Sequence, residues 1–222
     1  MKSDVRRPAP NAGRAALTFD DGPNSDGDVT MRLLDILRCH GDVKATFFLI
    51  GEFVDESPEL VRKIKGGGHS IGNHTYTHPD LSSCSRERIR SELLRCDAAI
   101  KRALGDRAAS VSLFRPPYGS AGGHVAEVAA ELDLKLVGWT AAGLDWECDL
   151  PNGTKPLRAD QIYQNVSKQL DMNEMTEIVL LHDGCPRIER GRPWRADRTQ
   201  TLLAVEHLLQ KYANLRNFVP LA

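Results

Sequence analysis

Ala15-Ala16-Leu17-Thr18-Phe19 runs straight into Asp20-Asp21-Gly22-Pro23, and Ile178-Val179-Leu180-Leu181 runs straight into His182-Asp183-Gly184. Short apolar runs that stop at Gly- or Pro-containing turns read as buried strands. Both of these deliver ionisable side chains at their C-terminal ends. Residues 70–72 do the same before His74-Thr75-Tyr76-Thr77-His78, and residues 111–114 before Arg115-Pro116-Pro117-Tyr118-Gly119. Outward from these strands the pattern becomes helical. Residues 29–40 carry Met31, Leu33, Leu34, Ile36 and Leu37, with Asp28 as N-cap and Gly41 as stop. Residues 45–50 read as a strand. Pro58 then opens a helix that ends at Gly66-Gly67-Gly68. Residues 85–104 form the longest helix, striped by Ile89, Leu93, Leu94, Ala98 and Leu104. Helices near 125–132, 159–170 and 198–212, with strands at 135–140 and 218–221, complete the series.

Strands alternating with helices imply βα units and a parallel sheet, and about seven such units fit the chain. The candidate site groups follow five different strands. In a (β/α) barrel those ends share one face, whereas a doubly wound open sheet gathers its site at one switch point. An α/β barrel of the TIM-like (β/α)7 kind, in a single domain spanning residues 14–222, is the expected architecture. Residues 1–13 read as a disordered or loosely attached tail.

Composition narrows the function. The 222 residues are 41% hydrophobic and 27% charged, with net charge −1. A globular core is expected, and a nucleic-acid-coating protein is not. No stretch approaches the roughly 18–20 apolar residues of a membrane helix. Met1-Lys2-Ser3-Asp4-Val5-Arg6-Arg7-Pro8 has no apolar core after its charges, so a cytoplasmic location is expected, or a secreted chain shortened at its start. Cys39, Cys84, Cys96, Cys148 and Cys185 are odd in number and scattered, which reads as free thiols. Cys185 beside His182 and Asp183 invites a nucleophile reading, but the aspartates and histidines offer a better-supported site.

Two adjacent carboxylates and two histidines four apart can supply three metal ligands and a base, and a catalytic zinc site wants three protein ligands and one open position. Asp20 and Asp21 point to opposite sides if their strand continues, and reach one cavity if it breaks at Gly22-Pro23. Taken alone they are as readily a solvated turn. His74 and His78 would share one face of a helical turn, with Asn73 capping it and Pro79 ending it. Arg115, held before two prolines, can pair with a carboxylate bidentately. Tyr118-Gly119 offers a backbone N–H to an oxyanion. His182, at a buried strand end, can protonate a leaving group. Asp145 could orient it, and Trp146 could wall a small acyl pocket.

In this order, Thr18-Phe19-Asp20-Asp21-Gly22-Pro23, His74 to His78, Arg115 to Gly119, Leu144-Asp145-Trp146 and Leu180 to Gly184 resemble the polysaccharide deacetylase family, the NodB homology domain or carbohydrate esterase family 4. The resemblance spans roughly residues 14–221. The His182-Asp183-Gly184-Cys185-Pro186 stretch is most like the rhizobial nodulation-factor deacetylases. It implies a distorted barrel and one divalent metal ion, usually Zn²⁺, with Co²⁺ or Ni²⁺ as alternatives. By resemblance Asp21, His74 and His78 are the metal ligands, and Asp20 is the general base, oriented by Arg115. The Tyr118 N–H stabilises the oxyanion, His182 is the general acid held by Asp145, and Trp146 and Leu180 line the acetyl-methyl pocket. Ala142 departs from the family, which often carries a further Asp there.

The expected activity is removal of N-acetyl groups from N-acetylglucosamine-containing, chito-oligosaccharide-like carbohydrate. The same site acting on another amide, ester or cyclic imide stays open. A non-catalytic carbohydrate-binding relative would have lost a base or a ligand, and none is lost. Residues 147–158 and 186–198 are expected to shape the substrate cleft; Arg187, Arg190, Arg192 and Trp194 in the second could contact a sugar or an anionic group, with solvated surface as the safer reading.

Overall fold

The computed structural model describes residues 13–109, 111–147, 157–172, 177–189, 192–193 and 196–222. The tail expected at the N-terminus lies outside them up to residue 12, as do Arg190 and Trp194. The elements are β1 (Arg14–Gly22), α1 (Val29–Cys39), β2 (Thr46–Leu49), α2 (Gly51–Glu56), α3 (Pro58–Gly66), β3 (Ser70–Asn73), α4 (Arg86–Leu104), β4 (Leu113–Phe114), α5 (His124–Glu131), β5 (Lys135–Leu136), β6 (Ala141–Ala142), α6 (Ala159–Met172), β7 (Glu177–His182), β8 (Ile188–Glu189), β9 (Arg192–Pro193), α7 (Thr199–Tyr212) and β10 (Asn217–Phe218). Among the described residues no helix is long and apolar enough to cross a membrane.

The main sheet runs β5-β4-β3-β2-β1-β7-β6, with β10 beside the start of β1, and every pairing in it is parallel. It curls into a half-barrel of the (β/α)7 type. The expected strand over 135–140 is instead two short pairings, and the difference explains the distortion. Lys135 and Val137 donate to Ser112 and Phe114 on the β4 side. Thr140 and Gly143 donate to Ile178 and Leu180 on β7. One run thus leaves one edge of the sheet and joins the other, spanning the gap between edge strands β5 and β6, which do not pair with each other.

Strand alternation assigns the faces. Ala15, Leu17 and Phe19 on β1, Phe47 and Leu49 on β2, and Val179 and Leu181 on β7 belong to the helix-facing core. Thr18, Asp20, Phe48, Leu180 and His182 therefore point inward. A smaller cluster under α4 and α5 contains Ile89, Leu93, Phe114, Val125 and Val128.

Local signals behave as their chemistry requires, with instructive exceptions. Ser85 caps α4 by accepting from Arg88 N–H, and Gly105 ends it in the left-handed conformation. The buried stripe of α4 runs Ile89, Leu93, Cys96, Ile100 and Ala103, while Leu94 faces solvent. Asp28 makes no capping bond, since it is itself left-handed. The short α2 was not expected. Its first amides, Gly51 and Glu52 N–H, donate to Thr75 and Tyr76 carbonyls, a tertiary cap invisible to local sequence. His69, without evident partner in the sequence, is buried and accepts from Ala45 N–H. Burial pushes its imidazole down to about 4.

The turns after β1 and β7 meet at a glycine. Asp183 and Gly184 N–H both donate to the Asp20 carbonyl, and a Cβ on Gly184 would lie 1.9 Å from the Asp21 carbonyl oxygen. The obstacle is backbone, so it cannot swing aside. Gly184→Ala is expected to destabilise the fold by about 3 kcal/mol, read as a lower midpoint in urea unfolding; an unchanged midpoint would contradict this close approach.

Candidate active site

The two neighbouring aspartates end up on one side because β1 neither continues regularly nor breaks. Its register against β2 shifts between Asp20 and Gly22, and Asp21 adopts φ 71°. Asp20 keeps the inward direction of its strand. Asp21 is turned into the same cavity, and both are buried.

His74 and His78 are not on a helical turn. They flank an irregular loop after β3 in which Thr75 (φ 67°) and His78 (φ 56°) are left-handed. Asn73 does cap the loop, accepting from Thr75 N–H at 2.9 Å. The rings still converge: His74 Nε2 lies 3.3 Å and His78 Nε2 3.2 Å from Asp21 Oδ1. His74 Nδ1 stands 2.7 Å from the Arg115 carbonyl. A carbonyl only accepts, so Nδ1 carries the proton and the neutral ring turns a bare Nε2 lone pair to Asp21. Asp21 Oδ1 and His78 Nδ1 find no hydrogen-bond partner among the described residues. Burial works to raise the Asp21 carboxyl; in the alternative state with the rings protonated, the positive charge of His78 and hydrogen bonds from His74 and His78 hold it well below the usual range. Three ligand atoms within 4.8 Å of one another, all acceptors in the neutral-imidazole state, fit a divalent cation of the zinc type.

Arg115 is fully buried. Its Nη1 donates to Thr18 Oγ1 at 2.7 Å and Asp20 Oδ1 at 2.8 Å. Its Nε and Nη2 donate to the carbonyls of Val137 and Gly138, on the run that links the two sheet edges. The guanidinium lies over the Phe48 ring, 4.3 Å from its centroid. Tyr118, at φ 57° in the turn after β4, sets its ring edge-on to His78, 4.9 Å between centroids.

Across the cavity, His182 Nδ1 is 2.8 Å from Asp145 Oδ1, and His182 N–H donates to Asp145 Oδ2. Thr201 Oγ1 donates to the same carboxylate and Arg198 Nη1 to the Asp145 carbonyl. These contacts hold the pair although Ala142 occupies the position where the family often has another Asp. Burial alone would lower the His182 imidazole, but the Asp145 carboxylate outweighs it and the net shift is upward. Asp145 moves the opposite way: burial raises it, and His182 more than offsets that. Trp146 meets His182 edge-on at 5.6 Å, and Leu180 shares the inner face with His182.

Several contributors had not been expected. Thr18 was legible by alternation, two residues before Asp20. Glu92, Arg198, Thr201 and Asp183 were not assigned. Asp183 accepts from Thr30 Oγ1 at 2.5 Å, and burial pushes its carboxyl up to about 7. Cys185 accepts from Ala196 N–H, and burial pushes its thiol up, the opposite of an activated nucleophile. Arg187 borders a cavity of about 430 Å³ beside Asp21, pairs with Glu52 and Glu56, and lies over Phe53.

A parallel (β/α) half-barrel carries on its C-terminal rim a carboxylate–imidazole cluster that could hold a metal ion, a buried Arg–Asp pair and a His–Asp pair, a set of groups suited to hydrolysis. Residues 7–137 match the family described as polysaccharide deacetylase. The chain is 37% identical over 210 residues to a chitooligosaccharide deacetylase of Sinorhizobium fredii (strain NBRC 101917 / NGR234), covering 93% of this chain and 90% of that one. Among solved structures it resembles a family 4 carbohydrate esterase from Streptomyces lividans in complex with acetate (TM-score 0.70, 32% identity, 89% of this chain and 86% of that one). It also resembles a peptidoglycan N-acetylglucosamine deacetylase in complex with 4-naphthalen-1-yl-N-oxidanyl-benzamide (TM-score 0.74, 30% identity, 96% and 88%). The chain belongs to the polysaccharide deacetylase family, carbohydrate esterase family 4, and is a deacetylase acting on non-peptide carbon–nitrogen bonds.

The upward shift of His182 would have a kinetic consequence for a general-acid role of that residue. In a proton-donating role, the His182 imidazolium would be present below its pKa and lost as pH rises through it, so Asp145 would extend activity to higher pH. Asp145→Asn removes the counter-charge and leaves burial unopposed. The alkaline limb of kcat is expected to move down by about 1 pH unit or more, measured in a pH–rate profile; an unmoved limb would detach Asp145 from His182 function.

Proposed function

We propose that this protein removes N-acetyl groups from N-acetylglucosamine-containing oligosaccharides of the chito-oligosaccharide kind, releasing acetate and a free amine, with one divalent metal ion held by Asp21, His74 and His78. The observation that carries this is the unequal environment of the two adjacent aspartates: Asp20 is taken by Arg115, and Asp21 by two imidazoles. A bound divalent ion, Zn²⁺ in preference to Co²⁺ or Ni²⁺, supplies Lewis acidity toward the acetamide carbonyl and the attacking water.

The chain's own groups do the rest. Asp20 Oδ1 is occupied by Arg115, and Oδ2 turns toward the ligand side, 3.9 Å from His74 Nε2. Oδ2 accepts the proton of the attacking water, while Arg115 keeps the carboxylate from rotating. The Tyr118 backbone N–H, with its left-handed turn at the rim, donates to the oxygen on which negative charge develops. His182 has its Nδ1 committed to Asp145, so Nε2 is the atom that hands a proton to the departing amine. Leu180 and Trp146 enclose the acetyl methyl and keep water from the leaving side. The relatives named chitooligosaccharide deacetylase, matched over most of both chains, support an N-acetylglucosamine oligomer as substrate.

The test is acetate release from chito-oligosaccharides by stripped and Zn²⁺-reloaded protein. Release is expected only after reloading. Asp20→Asn should lower kcat by about 10²-fold or more while still binding Zn²⁺. Full turnover by Asp20→Asn would remove Asp20 as base, and Zn²⁺ binding without release by the unaltered protein would reject this substrate.

A further inference from the structure

Two of the three converging ligands sit on a loop with a costly backbone. Thr75 and His78 are both left-handed, and a β-branched residue rarely adopts that conformation. Such residues persist only where their surroundings over-determine them. Two of the restraints are internal: Asn73 Oδ1 accepts from Thr75 N–H, and Thr75 Oγ1 accepts from His78 N–H at 3.1 Å. The first amides of α2 take the Thr75 and Tyr76 carbonyls. The amides of Tyr76 and Thr77 have no strand to pair with, and one side chain collects them. Glu92 Oε2 accepts from Tyr76 N–H at 2.9 Å and Thr77 N–H at 2.7 Å. Its Oε1 accepts from the Thr77 hydroxyl at 2.9 Å.

Glu92 comes from α4, where it stands among the apolar positions between Ile89 and Cys96 and is 1% exposed. Arg88, one turn earlier, pairs with its Oε1 at 2.7 Å from the solvent side. Burying a carboxylate is unfavourable unless it is paired and hydrogen-bonded. A role in packing alone would be served better by an apolar residue of similar size. A carboxylate is the group that presents acceptors to three donors of one short loop.

We infer that Glu92 is a positioning residue for the ligand set, clamping the strained loop so that His74 and His78 meet Asp21 before any ion arrives. The inference rests on the proposed metal site. It assigns to α4, a helix that supplies no ligand, the preorganisation of two of them.

The experiment measures Zn²⁺ affinity of the full chain by competition with a chromophoric chelator, without substrate, alongside the melting temperature of the stripped protein. Glu92→Ala is expected to weaken Zn²⁺ binding about 10- to 100-fold, the usual effect of losing a group that orients ligands. In Glu92→Gln the side-chain oxygen still accepts both amides, and the loss should stay within about threefold. Ile100→Ala, on the same buried stripe but away from the loop, should lower the melting temperature and leave Zn²⁺ affinity within about twofold. Should Glu92→Ala fail to fold, Thr77→Val deletes one of the three bonds and is expected to weaken binding about threefold. The inference is overturned by unchanged affinity in Glu92→Ala or, where that variant does not fold, in Thr77→Val. It is equally overturned by an Ile100→Ala loss as large as that of Glu92→Ala, or by Glu92→Gln as weak as Glu92→Ala. An unaltered chain that binds no Zn²⁺ would instead remove the proposed metal site, a separate result that takes the inference with it.

Discussion

One buried guanidinium organises the rim of this barrel. A single crossing run links the two edges of the half-barrel, and two carbonyls on that run, Val137 and Gly138, are met by Arg115 instead of a neighbouring strand. The other side of the same fork reaches Thr18 and Asp20 on β1. The Arg115 carbonyl in turn receives His74 Nδ1. The link between the sheet's two edges and the direction of Asp20 therefore depend on one side chain, and the tautomer of His74 on the backbone carbonyl of the same residue. Removing one member of such a buried pair typically costs about 3–5 kcal/mol, because the remaining charge is stranded. Arg115 and Asp20 are thus each other's condition for being inside at all.

The same pairing makes two chemically identical neighbours different. Asp20 and Asp21 are adjacent in sequence, but one carboxylate answers a permanent cation and the other answers two imidazoles. The distinction is made by the backbone, through the register shift at the end of β1 and the left-handed Asp21. Without the shift, alternation would send Asp21 to the helix side of the sheet. Gly22 permits the arrangement, since a Cβ there would lie 2.6 Å from the Asp183 carboxylate oxygens.

Much of this was legible in the sequence because strand periodicity is local. Alternation along 15–19 and 178–181 separates core from cavity, and the ends of those runs locate Asp20 and His182 on one rim. What was not legible is set at long range. The four-residue spacing of His74 and His78 suits a helical turn, but the loop takes its shape from Glu92, α2 and Arg115. The run 135–140 looks like one strand because its composition does not record that its two ends pair with opposite edges. Glu92 did leave a signal, a carboxylate among the apolar positions of an amphipathic helix, and its partners could be known only from the fold. Thr201 and Arg198, which hold Asp145, carry no local mark at all.

The central claim is that Asp21, and not Asp20, joins the two imidazoles in holding a cation. It is tested most directly by soaking crystals of the protein with Zn²⁺ and collecting anomalous diffraction at the zinc edge. One peak bonded to Asp21, His74 and His78, with Asp20 still paired to Arg115, is the result this structure predicts. A peak bonded to Asp20, or none at this cluster, would contradict it.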